Sequence, residues 1–75
     1  MKVAVKLVGG FVHTVGFSEK ELELPPGTTA GALLATIGID RSRPTIVARD
    51  GWAITPDELI RAGDRIVISP IFSGG

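Results

Sequence analysis

The sequence predicts an α+β fold in which a mixed sheet of four to five strands packs on one main helix. Three observations support this prediction: segments of alternating apolar residues near both ends of the chain, one helical stripe of apolar residues in its middle, and several tight-turn signals. A single helix and a single sheet must bury their apolar faces against each other, which gives a two-layer core. The 75 residues suffice for one domain.

The first element is a strand over residues 2–8, which places Val3, Val5 and Leu7 on one face. Gly9-Gly10 predicts the tight turn of a hairpin, because glycines readily adopt positive φ. The return arm is irregular, with a loop or bulge over residues 16–20, and alternation resumes at residues 21–24. We therefore expect a first β-hairpin.

The main helix follows Pro25-Pro26-Gly27. Thr28-Thr29 supplies an N-cap. Gly38 stands where a left-handed C-cap belongs. Between them the apolar residues recur at i, i+3, i+4 and i+7: Ala30, Leu33, Leu34 and Ile37.

The second half of the chain predicts the rest of the sheet. Asp50-Gly51 is the strongest hairpin signal and joins strands 45–49 and 52–54. Thr55-Pro56-Asp57-Glu58 has the form of a capping box and predicts one short helical or 3₁₀ turn. The unbroken apolar run 66–68 suits a central strand, which can pair with the first strand only in parallel.

Composition excludes several classes of function. Eight basic and eight acidic residues are interspersed, which disfavours nucleic acid as a partner. The absence of cysteine removes disulfides, thiolate metal sites and a cysteine nucleophile. No apolar run is long enough for a membrane span, and the N-terminus lacks the pattern of a signal peptide, so we expect a cytoplasmic protein.

The sequence ends in Gly74-Gly75, a few residues after an apolar last strand over residues 65–69. A free carboxylate on Gly75 is a candidate reactive group, and Gly74 and Gly75 can enter a narrow channel because they carry no Cβ atoms. We expect a domain over residues 1–70 and a flexible tail over residues 71–75. The competing interpretation is a frayed end or an expression remnant.

The order of elements and the Gly-Gly ending together resemble the ubiquitin-like sulfur carriers of β-grasp fold. The nearest groups are the small subunit of molybdopterin synthase (MoaD) and the thiamine-pathway sulfur carrier (ThiS). The similar segments are residues 21–29, Leu33-Leu34, residues 62–66 and residues 70–75. The ending is the specific one, and the molybdopterin synthase subunit is the nearer match, although Ile71-Phe72 replaces a frequent proline and valine.

The resemblance implies a carrier rather than an enzyme. An adenylating enzyme would use ATP to activate the Gly75 carboxylate, and a sulfur donor would convert it to a thiocarboxylate for molybdopterin synthesis. The implied partners are that enzyme and the large subunit of molybdopterin synthase or thiazole synthase, with no bound cofactor, metal, nucleic acid or membrane. The tail that would enter the partner consists of Pro70, Ile71, Phe72, Ser73 and Gly74, and Phe72 is either its anchor or a core residue.

Three other functions stay open: a thiamine carrier, a ubiquitin-like protein modifier, and an interaction module with an inert tail. Other polar residues have simpler explanations. The single histidine, His13, is expected at the surface or half-buried, and Asp50, Asp57 and Glu58 in turns and caps. The single tryptophan, Trp52, favours core packing over an exposed interface position. The arginines include a candidate patch for an acidic groove: Arg41, Arg43, Arg49, Arg61 and Arg65.

Overall fold

The structure, a computed structural model, describes residues 1–40 and 42–71. Five strands and two helices follow one another along this part of the chain. In order they are β1 (Lys2–Leu7), α1 (Phe11–Val15), β2 (Glu19–Glu23), α2 (Ala30–Thr36), β3 (Thr45–Arg49), β4 (Trp52–Ile54) and β5 (Arg65–Pro70). Neither α1 nor α2 is long and apolar enough to cross a membrane.

The strands form one mixed sheet in the order β2-β1-β5-β3-β4. β1 and β5 run parallel at its centre, and the other neighbours are antiparallel. The apolar run 66–68 therefore lies on the central strand, as predicted. Its alternate residues serve different faces, because Ile66 and Ile68 are buried in the core and Val67 is half-buried on the open face.

The core lies between this sheet and the two helices. Alternation along β1 buries Val3, Val5 and Leu7, as the sequence predicted. The other buried apolar residues are Phe11, Leu24, Ala30, Leu33, Leu34, Ile39, Val47, Ile60, Ile66 and Ile68. Ile46 on β3 is exposed on the open face of the sheet, because its neighbour Val47 points into the core.

The predicted caps of α2 are confirmed. The side chain of Thr29 accepts a hydrogen bond of 3.1 Å from the backbone amide of Ala32. Gly38, just beyond the helix, has a left-handed φ of 89°. Ile37 lies between the two and is half-buried against the core.

The first helical amides of α2 have partners from a distant segment. The amide of Ala30 donates to the carbonyl of Glu58, and the amide of Gly31 donates to the carbonyl of Pro56, each at 2.9 Å. These amides would otherwise lack a partner within the helix. The segment after β4 therefore completes the start of α2 and holds the helix against the sheet.

The predicted first hairpin is wrong in its connection. β1 and β2 are antiparallel neighbours, but α1 joins them, and the return arm begins only at Glu19, opposite Lys6. The glycine pair does not form a primed turn, because Gly9 has φ 64° whereas Gly10 has a right-handed φ of −61°. Burial of Phe11 at the start of α1 explains why the chain coils inward here rather than returning at once.

One turn follows Thr55, as predicted, but the predicted capping box is wrong. Residues 55–58 form a turn, closed by a 3.1 Å hydrogen bond from the amide of Glu58 to the carbonyl of Thr55. The Glu58 carboxylate does not close a box with Thr55. It pairs with Arg49 at 3.3 Å, and this tertiary contact replaces the local one.

The β3–β4 hairpin is confirmed, but the expected core position of Trp52 is wrong. Asp50 and Gly51 have positive φ values of 52° and 85°, as a two-residue primed turn requires. Trp52 is 79% exposed. Trp52 lies on β4, where it pairs with Arg49 of β3, and β4 is an edge strand of the sheet.

Candidate functional site

The candidate site is the end of β5, from which the tail leaves the domain. The amide of Val8 donates a 3.0 Å hydrogen bond to the carbonyl of Ile68, which is the last described contact with the β1 side. Beyond it, Ser69 pairs with Ile46 and Pro70 with Thr45, both on β3. The last residues of β5 are therefore hydrogen-bonded along one side only, to β3.

Pro70 suits this one-sided position. The backbone N–H and C=O groups of successive residues in a strand point in alternate directions. The carbonyl of Ile68 points towards β1, and the amide of Ile71 points towards the β3 side. The nitrogen of Pro70 therefore points towards the β1 side, beyond the last pairing of β1. Since proline has no N–H, no donor is left unpaired there.

A short loop fixes the first residue after β5. The amide of Ile71 donates a hydrogen bond of 3.2 Å to the carbonyl of Pro44. Before Pro44, the side chain of Asp40 accepts from the amide of Ser42 at 2.9 Å. The Asp40 carbonyl accepts from the amide of Arg43 at 3.0 Å.

This loop also changes the charge balance near the tail. The pKa of Asp40 is lowered, first by the hydrogen bond from the Ser42 backbone, then by the Ser42 side chain, and least by the nearby charge of Arg43. The carboxylate is thus stabilised in its ionised form. It stands beside Arg43, so the rim at the base of the tail carries charges of both signs.

A cleft of about 290 Å³ opens beside the tail base. Its lining combines residues of α2, of the segment before β3 and of the turn after β4: Gly31, Leu34, Asp40, Arg43, Pro44, Thr45, Pro56 and Ile71. Ile71 is 49% exposed. The arrangement offers an apolar surface with a charged rim directly beside the tail.

The predicted tail residues divide between two parts of the chain. Pro70 is half-buried at the end of β5 and Ile71 is exposed beside the cleft. Phe72, Ser73, Gly74 and Gly75 lie outside the described residues. Their assignment as a partner-binding tail and reactive carboxylate, and the boundary between residues 1–70 and 71–75, stay predictions.

Two of the described candidate arginines, Arg43 and Arg49, have different surroundings. Arg43 lines the cleft at the tail base. Arg49 does not line it and instead donates a hydrogen bond of 2.8 Å to the carbonyl of Leu59 and hydrogen bonds of 3.3 Å to the carboxylates of Asp64 and Glu58. Arg41 lies outside the described residues. Arg49 thus has a structural position that joins β3 to the segment before β5.

The remaining polar candidates show no assembled reaction centre among residues 1–40 and 42–71. His13 is exposed on α1. The hydroxyl of Thr55 donates to the carboxylate of Asp57, and this hydrogen bond is the main cause of the lowered pKa of Asp57. Within the same ranges, no group of three or more His, Asp or Glu side chains could hold a metal ion.

Three features of the structure were missed by the sequence predictions. The first is α1, whose Phe11, Val12 and Val15 spacing carries a helical signal. The others are the Ile71–Pro44 hydrogen bond and the contacts of Arg49. Both depend on residues that are distant in sequence and carry no local pattern.

Comparison with known proteins gives the family. The ThiS family matches residues 5–75, which is nearly the whole chain and includes both terminal glycines. No curated protein matches the chain.

Solved structures share the fold. SAMP1 of Haloferax volcanii is 22% identical, with full coverage of both chains and a TM-score of 0.79. A putative molybdopterin converting factor subunit 1 of Pyrococcus furiosus is 27% identical over 93% of this chain and 97% of that one, with a TM-score of 0.78. A chain from the complex of molybdopterin-converting factor subunits 1 and 2 of Helicobacter pylori is 17% identical, with full coverage of both chains and a TM-score of 0.65.

These neighbours confirm the predicted ubiquitin-like β-grasp. In this chain the fold consists of a five-stranded mixed sheet, with β1 and β5 parallel at its centre and α2 across one face. The family match extends over both the sheet and the ending. The chain belongs to the ThiS family of small, ubiquitin-like sulfur carriers.

Proposed function

We propose that this protein carries sulfur as a thiocarboxylate on Gly75 for the synthesis of molybdopterin. The observation that carries the proposal is the ThiS family match, which continues through Gly74-Gly75 to residue 75. The neighbour from Pyrococcus furiosus, named as a molybdopterin converting factor subunit, supports the choice of pathway.

The chemistry begins with a carboxylate that cannot react unaided. At neutral pH a terminal carboxyl group is ionised, since its usual pKa is about 3.3–3.7. In the proposed sequence, a carboxylate oxygen of Gly75 attacks the α-phosphorus of ATP, and pyrophosphate leaves. A sulfur donor at the oxidation level of sulfide then supplies HS⁻, which attacks the acyl carbon and displaces AMP. Loss of the S–H proton leaves a carboxylate in which sulfur replaces one oxygen.

The catalysts of these steps lie in partner proteins. ATP and the sulfur donor are used by an adenylating enzyme, while this chain acts as a co-substrate and binds no cofactor of its own. The five residues after Pro70 can span at most roughly 17 Å. That reach allows the carboxylate to enter an enclosed centre of a partner while the sheet stays outside it.

The second proposed partner is the large subunit of molybdopterin synthase. The Helicobacter pylori neighbour was solved as a complex of two subunits, which supports an association of this kind. The cleft beside Ile71 supplies a surface next to the tail for such a contact. Pro70 and the Ile71–Pro44 hydrogen bond would reduce the entropy lost when a partner orders the tail.

Two other functions keep specific support. The matching family is named ThiS, which favours a thiamine-pathway carrier. SAMP1, also described as small archaeal modifier protein 1, has a fold as similar as that of the Pyrococcus protein, so the fold alone does not separate a carrier from a protein modifier.

The absence of cysteine makes a sharp test possible. A thiocarboxylate would be the only thiol-type group in the chain, so thiol-specific alkylation of protein purified from its native cells must label it at Gly75 alone. Intact-mass analysis should show one oxygen replaced by one sulfur, and alkylation distinguishes this from oxidation of Met1. The matched control lacks Gly75 and should stay unlabelled.

The same experiment separates the alternatives. If Gly75 is joined to lysines of other proteins by isopeptide bonds and no alkylated species is found, the protein is a modifier and the carrier function is refuted. Restored molybdopterin synthesis in a host lacking its own small subunit supports the proposed pathway, and rescue of thiamine synthesis alone would overturn it. A chain without Gly75 that restores either pathway as well as the full chain would refute a function of the tail.

A further inference from the structure

The two edges of the sheet differ in charge. The β2 edge carries four charged residues among the five positions of Glu19–Glu23. The β4 edge, Trp52–Ile54, carries none. Charged side chains on an edge strand hinder pairing with another chain, and β2 is protected in this way. β4 lacks such charges, and only its short length of three residues limits pairing there.

The register of the β3–β4 hairpin shows which backbone groups face outward. In a hairpin with a two-residue turn, the pair closing the turn is hydrogen-bonded, which here is Arg49–Trp52. The next pair, Ala48–Ala53, is then not hydrogen-bonded. The amide and carbonyl of Ala53 therefore point away from β3, towards the outer edge of the sheet.

We propose that β4 pairs antiparallel with β4 of a second copy of this chain, about a two-fold axis at Ala53. Each Ala53 amide would donate to the Ala53 carbonyl of the other copy. Trp52 would then lie opposite Ile54 of the second copy on the same face. The two sheets would join into one sheet of ten strands.

A second copy fits this edge better than it fits the other. Antiparallel self-pairing centred on β2 would place Glu21 opposite Glu21, which like charges disfavour. At β4 the central residue is alanine and its neighbours are apolar, so no repulsion opposes pairing. Trp52, 79% exposed in one copy, would gain an apolar cross-strand neighbour.

This dimer leaves the candidate site open. β4 pairs with residues 47–49 of β3, whereas the end of β5 pairs with Thr45, at the opposite end of β3. Val67 is the β5 partner of Ala48, and Pro70 lies three positions beyond it, which corresponds to roughly 10 Å along a strand. The two-fold axis would place the two tails at opposite ends of the joined sheet.

The dimer should be weak and dependent on concentration. Three paired residues bury less than the roughly 1,200 Å² found in stable interfaces. We therefore expect a dissociation constant in the range of about 0.1–1 mM. The inference concerns β4 alone and does not depend on the chemistry proposed for Gly75.

The test measures association of the full chain by sedimentation equilibrium up to about 1 mM, where more than a third of the chains should be dimeric if the expected dissociation constant holds. Trp52, the sole tryptophan, reports on the same interface, and its emission should shift to shorter wavelength as dimers form. A chain that stays monomeric throughout this range would overturn the proposal.

Substitutions at the axis identify the surface. Ala53→Glu and Ala53→Lys place like charges opposite each other in each homodimer and should each weaken it by roughly tenfold or more at low salt. An equimolar mixture of the two should restore dimers, because the charges then become opposite. Ala53 is exposed, so neither change should affect the core.

The matched control is Ala35→Glu, which adds the same charge at an exposed position on α2 and should dimerise like the unmodified chain. If Ala53→Glu also dimerises like the unmodified chain, the copies associate through another surface and the proposal fails. Loss of dimers in both single variants without recovery in the mixture would equally contradict β4 pairing.

Discussion

The amide of Ile71 donates to the carbonyl of Pro44 at 3.2 Å, and this hydrogen bond continues the β3–β5 contacts one residue past the end of β5. It sets the direction in which the chain leaves the sheet. The acceptor belongs to a loop that Asp40 organises through Ser42 and Arg43. The base of the tail is thus oriented by a segment about thirty residues earlier in the sequence.

The first prediction concerns this hydrogen bond. The Ile71 amide should exchange with solvent at least about tenfold more slowly than in an unstructured peptide, since its donor is occupied. Hydrogen exchange followed by NMR measures this rate. Asp40→Ala, which removes the acceptor for Ser42, should speed exchange at Ile71 while leaving core amides such as Val5 unchanged. Equal rates at Ile71 in both proteins would contradict the ordering role of the loop.

The second prediction concerns Gly31. A Cβ atom at this position would lie 3.2 Å from the carbonyl oxygen of Pro56, closer than most real contacts. Gly31→Val should therefore lower the free energy of unfolding by about 1–3 kcal/mol in denaturant titrations. The control is Gly10→Ala, because a Cβ at Gly10 meets nothing within 4 Å and its φ of −61° suits alanine. That change should be neutral or stabilising by up to about 1 kcal/mol.

The third prediction compares two leucines. Leu33 on α2 is fully buried, whereas Leu59 is 55% exposed. Leu33→Ala should cost about 2–5 kcal/mol, enough to unfold much of a domain this small. Leu59→Ala should cost less than about 1 kcal/mol. Thermal unfolding of the two variants checks the difference, and equal losses would mean that the core is placed wrongly.

The fourth prediction concerns Arg49, whose guanidinium contacts the Leu59 carbonyl and the carboxylates of Glu58 and Asp64. Arg49→Met removes all three contacts and leaves Asp64, which is mostly buried, without its cation. We expect a loss of about 1–3 kcal/mol in the free energy of unfolding. Arg61→Met, at an exposed position, is the control and should change stability by less than about 0.5 kcal/mol.

The fifth prediction concerns acid. The pKa of Asp57 is lowered in the folded protein, chiefly by the hydroxyl of Thr55, and that of Asp40 chiefly by the Ser42 backbone. A carboxyl group whose pKa is lower when folded stabilises the fold above its unfolded pKa. That contribution should be constant above about pH 5 and decline as the pH falls below about 4.

Unfolding midpoints measured across this range test the direction of the effect. Thr55→Val removes the donor hydroxyl and should raise the pKa of Asp57, which NMR titration of its carboxyl carbon reports directly. The pKa of Asp40 should stay the same in that variant, which makes it an internal control. An unchanged pKa of Asp57 would show that Thr55 does not hold it.

Local signals predicted the elements that local contacts stabilise. The caps at Thr29 and Gly38 and the turn at Asp50-Gly51 were correct because each depends on neighbouring residues alone. The apolar run 66–68 indicated a central strand, and the parallel pairing of β1 and β5, which the sequence allowed without requiring it, is present in the structure. These features fix most of the sheet and the main helix.

The wrong predictions share one cause, which is a distant partner that overrides a local preference. Phe11 enters the core and turns the expected hairpin arm into α1. Glu58 pairs with Arg49 instead of closing a capping box. Trp52 is exposed because its strand lies at the sheet edge, a position that only the complete strand order defines. The loop that orients Ile71 was missed for the same reason.

The strand at the centre of the sheet is the last one to be synthesised. Until the ribosome has made Arg65–Pro70, β1 with β2 and β3 with β4 are two separate ribbons with no shared neighbour. Isolated two-stranded ribbons are marginal in water, so nascent chains should stay largely unfolded until β5 inserts between them. Folding and exposure of the tail base would then occur together, which keeps incomplete chains from presenting a finished domain to a partner.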